Sequence, residues 1–284
     1  MNIKKKIMLF IGLSIISLIA IISIVSRVVF LNKFEQLERE NIKKDLKRTV
    51  RILDKELYNL SVTTRDYASW DDTYNYIENR NQQFVDGNII VQTFLELNLD
   101  IMIFMHKNGN VILERCADLN EKSFKKVDAS IYNYLGAKDK FRNPDLQQGN
   151  RGIVKLNSGI LLMSSRAILT SESKGPSRGI TVFGKYLSKE MIKKLSDQSL
   201  SPVEFFPTDS GAYLSRLLSE TENGDKYFWD EDDKDSISAF TYLSDINSAP
   251  IGILKIKEKK EIITEGYSSI SFFLSYIILF SLLF

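Results

Sequence analysis

The sequence predicts an α+β domain: an antiparallel sheet with helices on its faces and a long helix before it, set between two membrane helices. Three observations predict this. A charge-free apolar run stands near each end of the 284-residue chain, at 7–26 and 266–284. Ile42, Leu46, Thr49, Leu53, Leu57 and Leu60 recur at spacings of three and four. Beyond residue 98, short strand-like runs alternate with turn signals such as Asn108-Gly109, Ser158-Gly159 and Gly175-Pro176.

The first run, as a helix rising ~1.5 Å per residue, is about as long as a bilayer's hydrocarbon core is thick. Lys4, Lys5 and Lys6 precede it and hold residues 1–6 in the cytoplasm, while Arg27 can snorkel at the far end of a span assigned to 7–31. A cleaved signal peptide would have a shorter apolar core and a small-x-small site, so an uncleaved anchor is expected. The second run is borderline in length. Residues 258–267 are expected as a helical linker into a second span at 268–284, either a short C-terminal anchor or part of a longer protein. Residues 32–267 are then expected outside the cytoplasm.

Lys+Arg 38 against Asp+Glu 36 gives a formal charge of +2, which argues against a nucleic-acid partner. One Cys and one His exclude an intrachain disulfide and a His/Cys zinc cluster, so no metal or cofactor is expected.

The periodic stretch at 32–64 has neither Gly nor Pro. It reads either as a helix laying its apolar stripe on its own domain or as a stalk that pairs with a second copy. The exterior domain proper is placed at 65–257. On a helix at 65–76, Asp66, Trp70 and Tyr74 share one face, with Tyr67 and Asp71 on the next. Such alternating aromatics and carboxylates suit a packed network or the wall of a polar pocket. Strands are expected at 99–104 and 111–116 around the Asn108-Gly109 turn, with His106 at the strand end as a surface residue. Further strands are expected at 152–156, 160–168, 179–186, 203–206, 237–243 and 250–256. Short helices are expected at 127–135 and at 188–195, the latter capped by Ser188 with Glu190 in its first turn.

Two motifs fail on inspection. Gly179 to Lys185 fits G-x-x-x-x-G-K, but Tyr186 stands where Ser or Thr must hold Mg²⁺, and the apolar residues between build a strand. The acidic run from Asp230 has Asp235 and Thr241 where a calcium loop needs Gly and Glu, so a solvated turn is expected. No nucleophile stands with a base at a catalytic spacing, and adjacent carboxylates such as Asp71 and Asp72 diverge on a helix. No enzymatic activity is expected.

The ordered set Trp70-Asp71-Asp72-Thr73-Tyr74, Asn88, the turn at Asn108-Gly109, Gly152-Ile153-Val154, Ser165-Arg166-Ala167-Ile168-Leu169, Gly175-Pro176, Gly179 and Gly184-Lys185-Tyr186-Leu187 resembles the fourth family of CHASE domains. CHASE domains are extracellular sensory modules associated with cyclases and histidine kinases. The likeness runs from about 65 to 195, with a weaker echo at Ala249-Pro250-Ile251-Gly252. Ala167 stands where the family often has Pro, Lys185 where it often has Arg, and His106 where an acidic residue is usual.

The resemblance implies a Cache/PAS-like antiparallel sheet backed by a long N-terminal helix. It implies a ligand-sensing domain of a membrane receptor, of the histidine-kinase or cyclic-di-nucleotide type, with the output module absent from this chain. A small polar ligand is then expected between the sheet and the Trp70 helix, contacted by Trp70, Asp71, Tyr74, Asn88 and Arg166, in a homodimer joined through the stalk and membrane helices. The alternative is an anchored interaction module that binds a partner membrane protein.

Overall fold

The computed structural model describes residues 3–25, 29–207, 227–230 and 235–282. The chain opens with α1 (Ile3–Val25), α2 (Leu31–Ala68), α3 (Asp71–Asn79), α4 (Gln82–Asn88) and α5 (Val91–Leu97). Six strands follow: β1 (Ile101–His106), β2 (Val111–Asp118), β3 (Ser123–Lys125), β4 (Asn150–Leu156), β5 (Gly159–Ile168) and β6 (Gly179–Tyr186). Then come α6 (Lys189–Ser199), β7 (Val203–Pro207), β8 (Tyr227–Asp230), β9 (Ser236–Ser244), β10 (Pro250–Lys259) and α7 (Glu261–Leu282). Among the described residues, α1 and α7 are long and apolar enough to cross a membrane. Arg27 and residues 231–234 of the acidic run lie outside the described residues.

α2 is the spine of the domain between α1 and α7. Its 38 residues extend ~57 Å, and Ile42, Leu46, Thr49, Leu53 and Leu60 are buried along one stripe. It is tied to the rest of the domain at successive heights. Glu38 accepts the Ile263 N–H of α7 at 3.0 Å, Arg48 donates to the Ser199 carbonyl at 3.5 Å, and Ala68 accepts the Leu169 N–H at 3.1 Å. The stripe thus lies on the chain's own domain, which leaves the opposite face to solvent.

The strands form two antiparallel sheets rather than the single sheet expected. One has the order β3-β2-β1-β6-β5-β4 and the other β7-β10-β9-β8. The reason is topological: β6 is already paired on both sides, by β1 and β5, so the next strand cannot pair beside it. α6 carries the chain onward to nucleate a second sheet. In the first sheet, Met102, Phe104, Leu162 and Phe183 pack in the same cluster as the α2 stripe, and Ile101, Ile103, Met105, Leu161, Met163 and Val182 pack under segment 126–149. Burial on both faces explains why β1 is continuously apolar instead of alternating. β6 runs so close to β1 that a Cβ on Gly179 would lie 1.9 Å from the Met105 carbonyl oxygen.

Two boundaries differ from expectation. Glu258 and Lys259, expected in a helical linker, pair with Ile237 and Ser236 as the end of β10, because that ladder continues to the edge of β9. The helix expected at 127–135 is a 3₁₀ helix, Ala129–Tyr134, started by Asp128, whose carboxylate accepts the Ser130 N–H at 2.9 Å.

Candidate ligand-binding site

A cleft opens at the end of the first sheet where β1 begins and β2 and β6 finish, with α6 forming its far wall. It encloses ≈ 650 Å³, within the range of small-molecule sites. Asp100, Cys116, Asp118, Ser158, Tyr186 and Lys194 are among its lining groups.

The local sequence explains how each is aimed. Asp100 precedes β1 and accepts the Tyr186 N–H at 2.7 Å; burial pushes its carboxyl above the usual range against that bond. Asp118 ends β2, accepts the Asn120 and Glu121 N–H groups and pairs with Lys125 at 3.3 Å. Asp128 accepts the Ser158 N–H at 2.7 Å, pinning the β4–β5 turn, and hydrogen bonds from Ser158 and Ser130 hold it well below the usual carboxylate range. Ser158 Oγ and Tyr186 Oη lie 2.8 Å apart across the mouth. Burial pushes the Cys116 thiol up to about 11, which leaves it protonated and inert at neutral pH.

One α2 residue reaches this wall. Glu56 Oε1 lies 2.7 Å from Lys194 Nζ of α6, and Oε2 lies 3.3 Å from Lys185 Nζ of β6. Burial raises the Glu56 carboxyl, but the hydrogen bonds and charges of Lys194 and Lys185 outweigh it and leave it below the usual range. Burial pushes Lys185 in turn below the usual lysine range.

Three of the residues singled out in the sequence come together elsewhere, at the α2–α3 joint. Trp70 stacks on Tyr67 with ring centroids 4.3 Å apart and keeps 37% of its surface exposed. Both Asp71 oxygens accept from Ser171, the N–H at 2.9 Å and the hydroxyl at 2.8 Å. Tyr74 donates to the Pro176 carbonyl at 3.2 Å, and the Arg178 guanidinium lies 3.8 Å from its ring centroid. Asp71 and Tyr74 hold segment 169–178 against the helices. Asn88 and Arg166 do not join them. Asn88 donates to the Phe84 carbonyl at 3.0 Å within its own helix, and Arg166 donates to the Gln147 carbonyl at 2.6 Å and to Ser61 Oγ at 3.2 Å. None of the five lines the cleft. His106 lies 3.5 Å from Glu78 and accepts the Asn108 N–H, as a residue that fastens its turn.

The sequence reading did not pick out Asp100, Ser158, Tyr186 and Lys194. Lys185 and Tyr186 lay within a quoted motif and Ser158 in a turn signal; Asp100 precedes a strand and Lys194 lies on a helix, where nothing in the sequence marks them.

A family model described as CHASE4 domain matches residues 52–206, more than half of the chain. The chain belongs to the CHASE4 domain family. It is 26% identical over 289 residues to the methanogenesis regulatory histidine kinase FilI of Methanothrix harundinacea (strain 6Ac). That alignment takes in 100% of this chain and 32% of FilI, so the chain spans about a third of that relative's length. The extracellular domain described as that of histidine kinase vpHK1S-Z8 has the same fold, with a TM-score of 0.53 at 12% identity over 82% of this chain and 95% of that one. A domain of a protein described as of the sensory box/GGDEF family, from Vibrio parahaemolyticus, also gives 0.53 at 12% identity over 81% and 99%. The CHASE4 match begins within α2, just before Glu56, and contains every group that lines the cleft. The chain is therefore a CHASE4 sensor domain with candidate membrane helices before and after it.

Proposed function

We propose that the chain is the sensing part of a membrane receptor in which residues 32–267 lie outside the cytoplasm and a small polar ligand binds in the cleft between the first sheet and α6. The observation that carries this reading is the meeting of three elements in one wall: Lys185 from β6, Lys194 from α6 and Glu56 from α2. A ligand there touches two lysines that are paired to α2, the helix that follows the candidate membrane helix α1 in the chain. Signalling requires the ligand to favour one of two α2 arrangements, since equal affinity for both shifts nothing. Trp70, Asp71 and Tyr74 then serve by holding segment 169–178 and the α2–α3 joint in place.

The output module is a histidine kinase, a reading supported by the relationship to FilI. Two copies pair through the solvent face of α2, where Leu37 and Tyr58 stand exposed, and through the membrane helices. The test is a thermal-shift screen of small polar metabolites against the full chain in nanodiscs. A stabilising compound should lose its effect in Ser158→Trp, which fills the cleft, and keep it in Trp70→Ala. The reverse pattern would move the ligand to the α2–α3 joint.

A further inference from the structure

Glu56 divides one carboxylate between two lysines at the point where the cleft, the first sheet and α2 meet. The side chains of Glu56 and Lys185 are 10% and 12% exposed, while Lys194 keeps 40%. Both lysines also line the cleft, so each presents its charge to α2 on one side and to the cleft on the other. The other cleft acids are engaged differently. Asp118 is held by Lys125 and two backbone N–H groups, Asp128 by Ser130 and the Ser158 N–H, and Glu190, at the start of α6, by hydrogen bonds with its own N–H and with Ser188. Asp100 accepts the Tyr186 N–H, and its burial opposes the charged form. Two cations sharing one anion at a cleft wall form a subsite that a second anion can complete.

We infer that the ligand carries a small anionic group, a carboxylate or a phosphate, that takes Lys185 and Lys194 from Glu56 and so loosens α2 at its midpoint. This rests on the cleft being the ligand site. Glu56 is then a positioning residue: it holds the two lysines for the ligand and competes with it for them. In the ligand-bound state α2 loses its ties to β6 and α6 at Glu56, while Glu38–Ile263 and Ala68–Leu169 still fasten its two ends. Competition and coupling are the same free energy seen from two sides, so removing the internal carboxylate must strengthen the external one.

The experiment uses the full chain in phosphatidylcholine nanodiscs, with inorganic phosphate and acetate as probes and chloride keeping the ionic strength constant. At least one of the two anions should raise the melting temperature of the wild type with concentration, and which one does so assigns phosphate or carboxylate. The shift should vanish in Lys194→Met and return in Lys194→Arg. In Glu56→Gln the anion should bind roughly tenfold more tightly, whereas a purely structural role for Glu56 makes binding weaker. Should Glu56→Gln fail to fold, the two Lys194 variants decide alone. The inference is overturned if neither anion acts beyond chloride, or if Lys194→Met responds like the wild type. A neutral metabolite that stabilises the wild type and is blocked by Ser158→Trp would overturn the anion while leaving the cleft intact as the ligand site.

Discussion

The Ile246 N–H donates to the Ile153 carbonyl across 3.1 Å, and the Ile246 side chain lies so close over Gly152 that a Cβ there would sit 2.7 Å from its δ-methyl. A turn of the second sheet thereby caps the free edge of the first, since β4 is an outer strand. Lys140 strengthens the joint by donating to the Ile246 carbonyl at 3.2 Å. Gly152→Val forces branched carbon into this contact and should cost about 1–3 kcal/mol. Denaturant unfolding of the full chain checks it; unchanged stability would mean that the turn is not seated on β4.

Asp71 and Ser171 lie 100 residues apart in sequence and share two hydrogen bonds. The N–H and hydroxyl of Ser171 hold the Asp71 carboxyl below the usual carboxylate range. A depressed folded pKa contributes stability that is present at neutral pH and is lost as pH falls below about 4. Segment 169–178 should therefore lose protection against amide exchange, relative to the intrinsic rate, as pH falls below about 4, and Asp71→Asn should show that loss already at pH 7. Protection unchanged by both pH and substitution would contradict the clamp.

Thr181 is buried on β6 opposite Arg166, and its hydroxyl has no hydrogen-bond partner among the described residues. Thr73, Ser164 and Ser165 are in the same position. Replacing an unpaired buried hydroxyl by a methyl group removes a desolvation cost, so Thr181→Val should stabilise the domain by about 1 kcal/mol. A loss of stability, measured by thermal unfolding, would show that the hydroxyl is paired.

Exterior placement has its own check. Under the proposed topology, protease added to intact cells should cut between residues 32 and 267 and leave residues 1–6 attached to α1. Resistance in intact cells together with cleavage in lysates would reverse the topology.

Features set by neighbours along the chain were legible in the sequence. The apolar ends, the Ile42-to-Leu60 stripe and the Asn108-Gly109 hairpin each follow from a local period or turn, and they gave the α+β class and the long helix. The split into two sheets was hidden because it depends on β6 being enclosed by β1 and β5, a matter of pairing order. The site was hidden for a similar reason. Asp100, Ser158 and Lys194 come from a strand start, a turn and a helix, and only the folded chain brings them to one cleft. Trp70, Asp71 and Tyr74 did stand out, because they lie close together in the chain; in the structure Trp70 caps α3, and Asp71 and Tyr74 in its first turn fasten segment 169–178.

Hydrogen–deuterium exchange on the full chain in nanodiscs, with and without the strongest stabiliser from the metabolite screen, tests the ligand's location most directly. Binding in the cleft protects the backbone at 98–100, 158–160 and 186–191 and raises exchange in α2 around Glu56. Protection confined to α3 and 169–178, with α2 unchanged at Glu56, would contradict it.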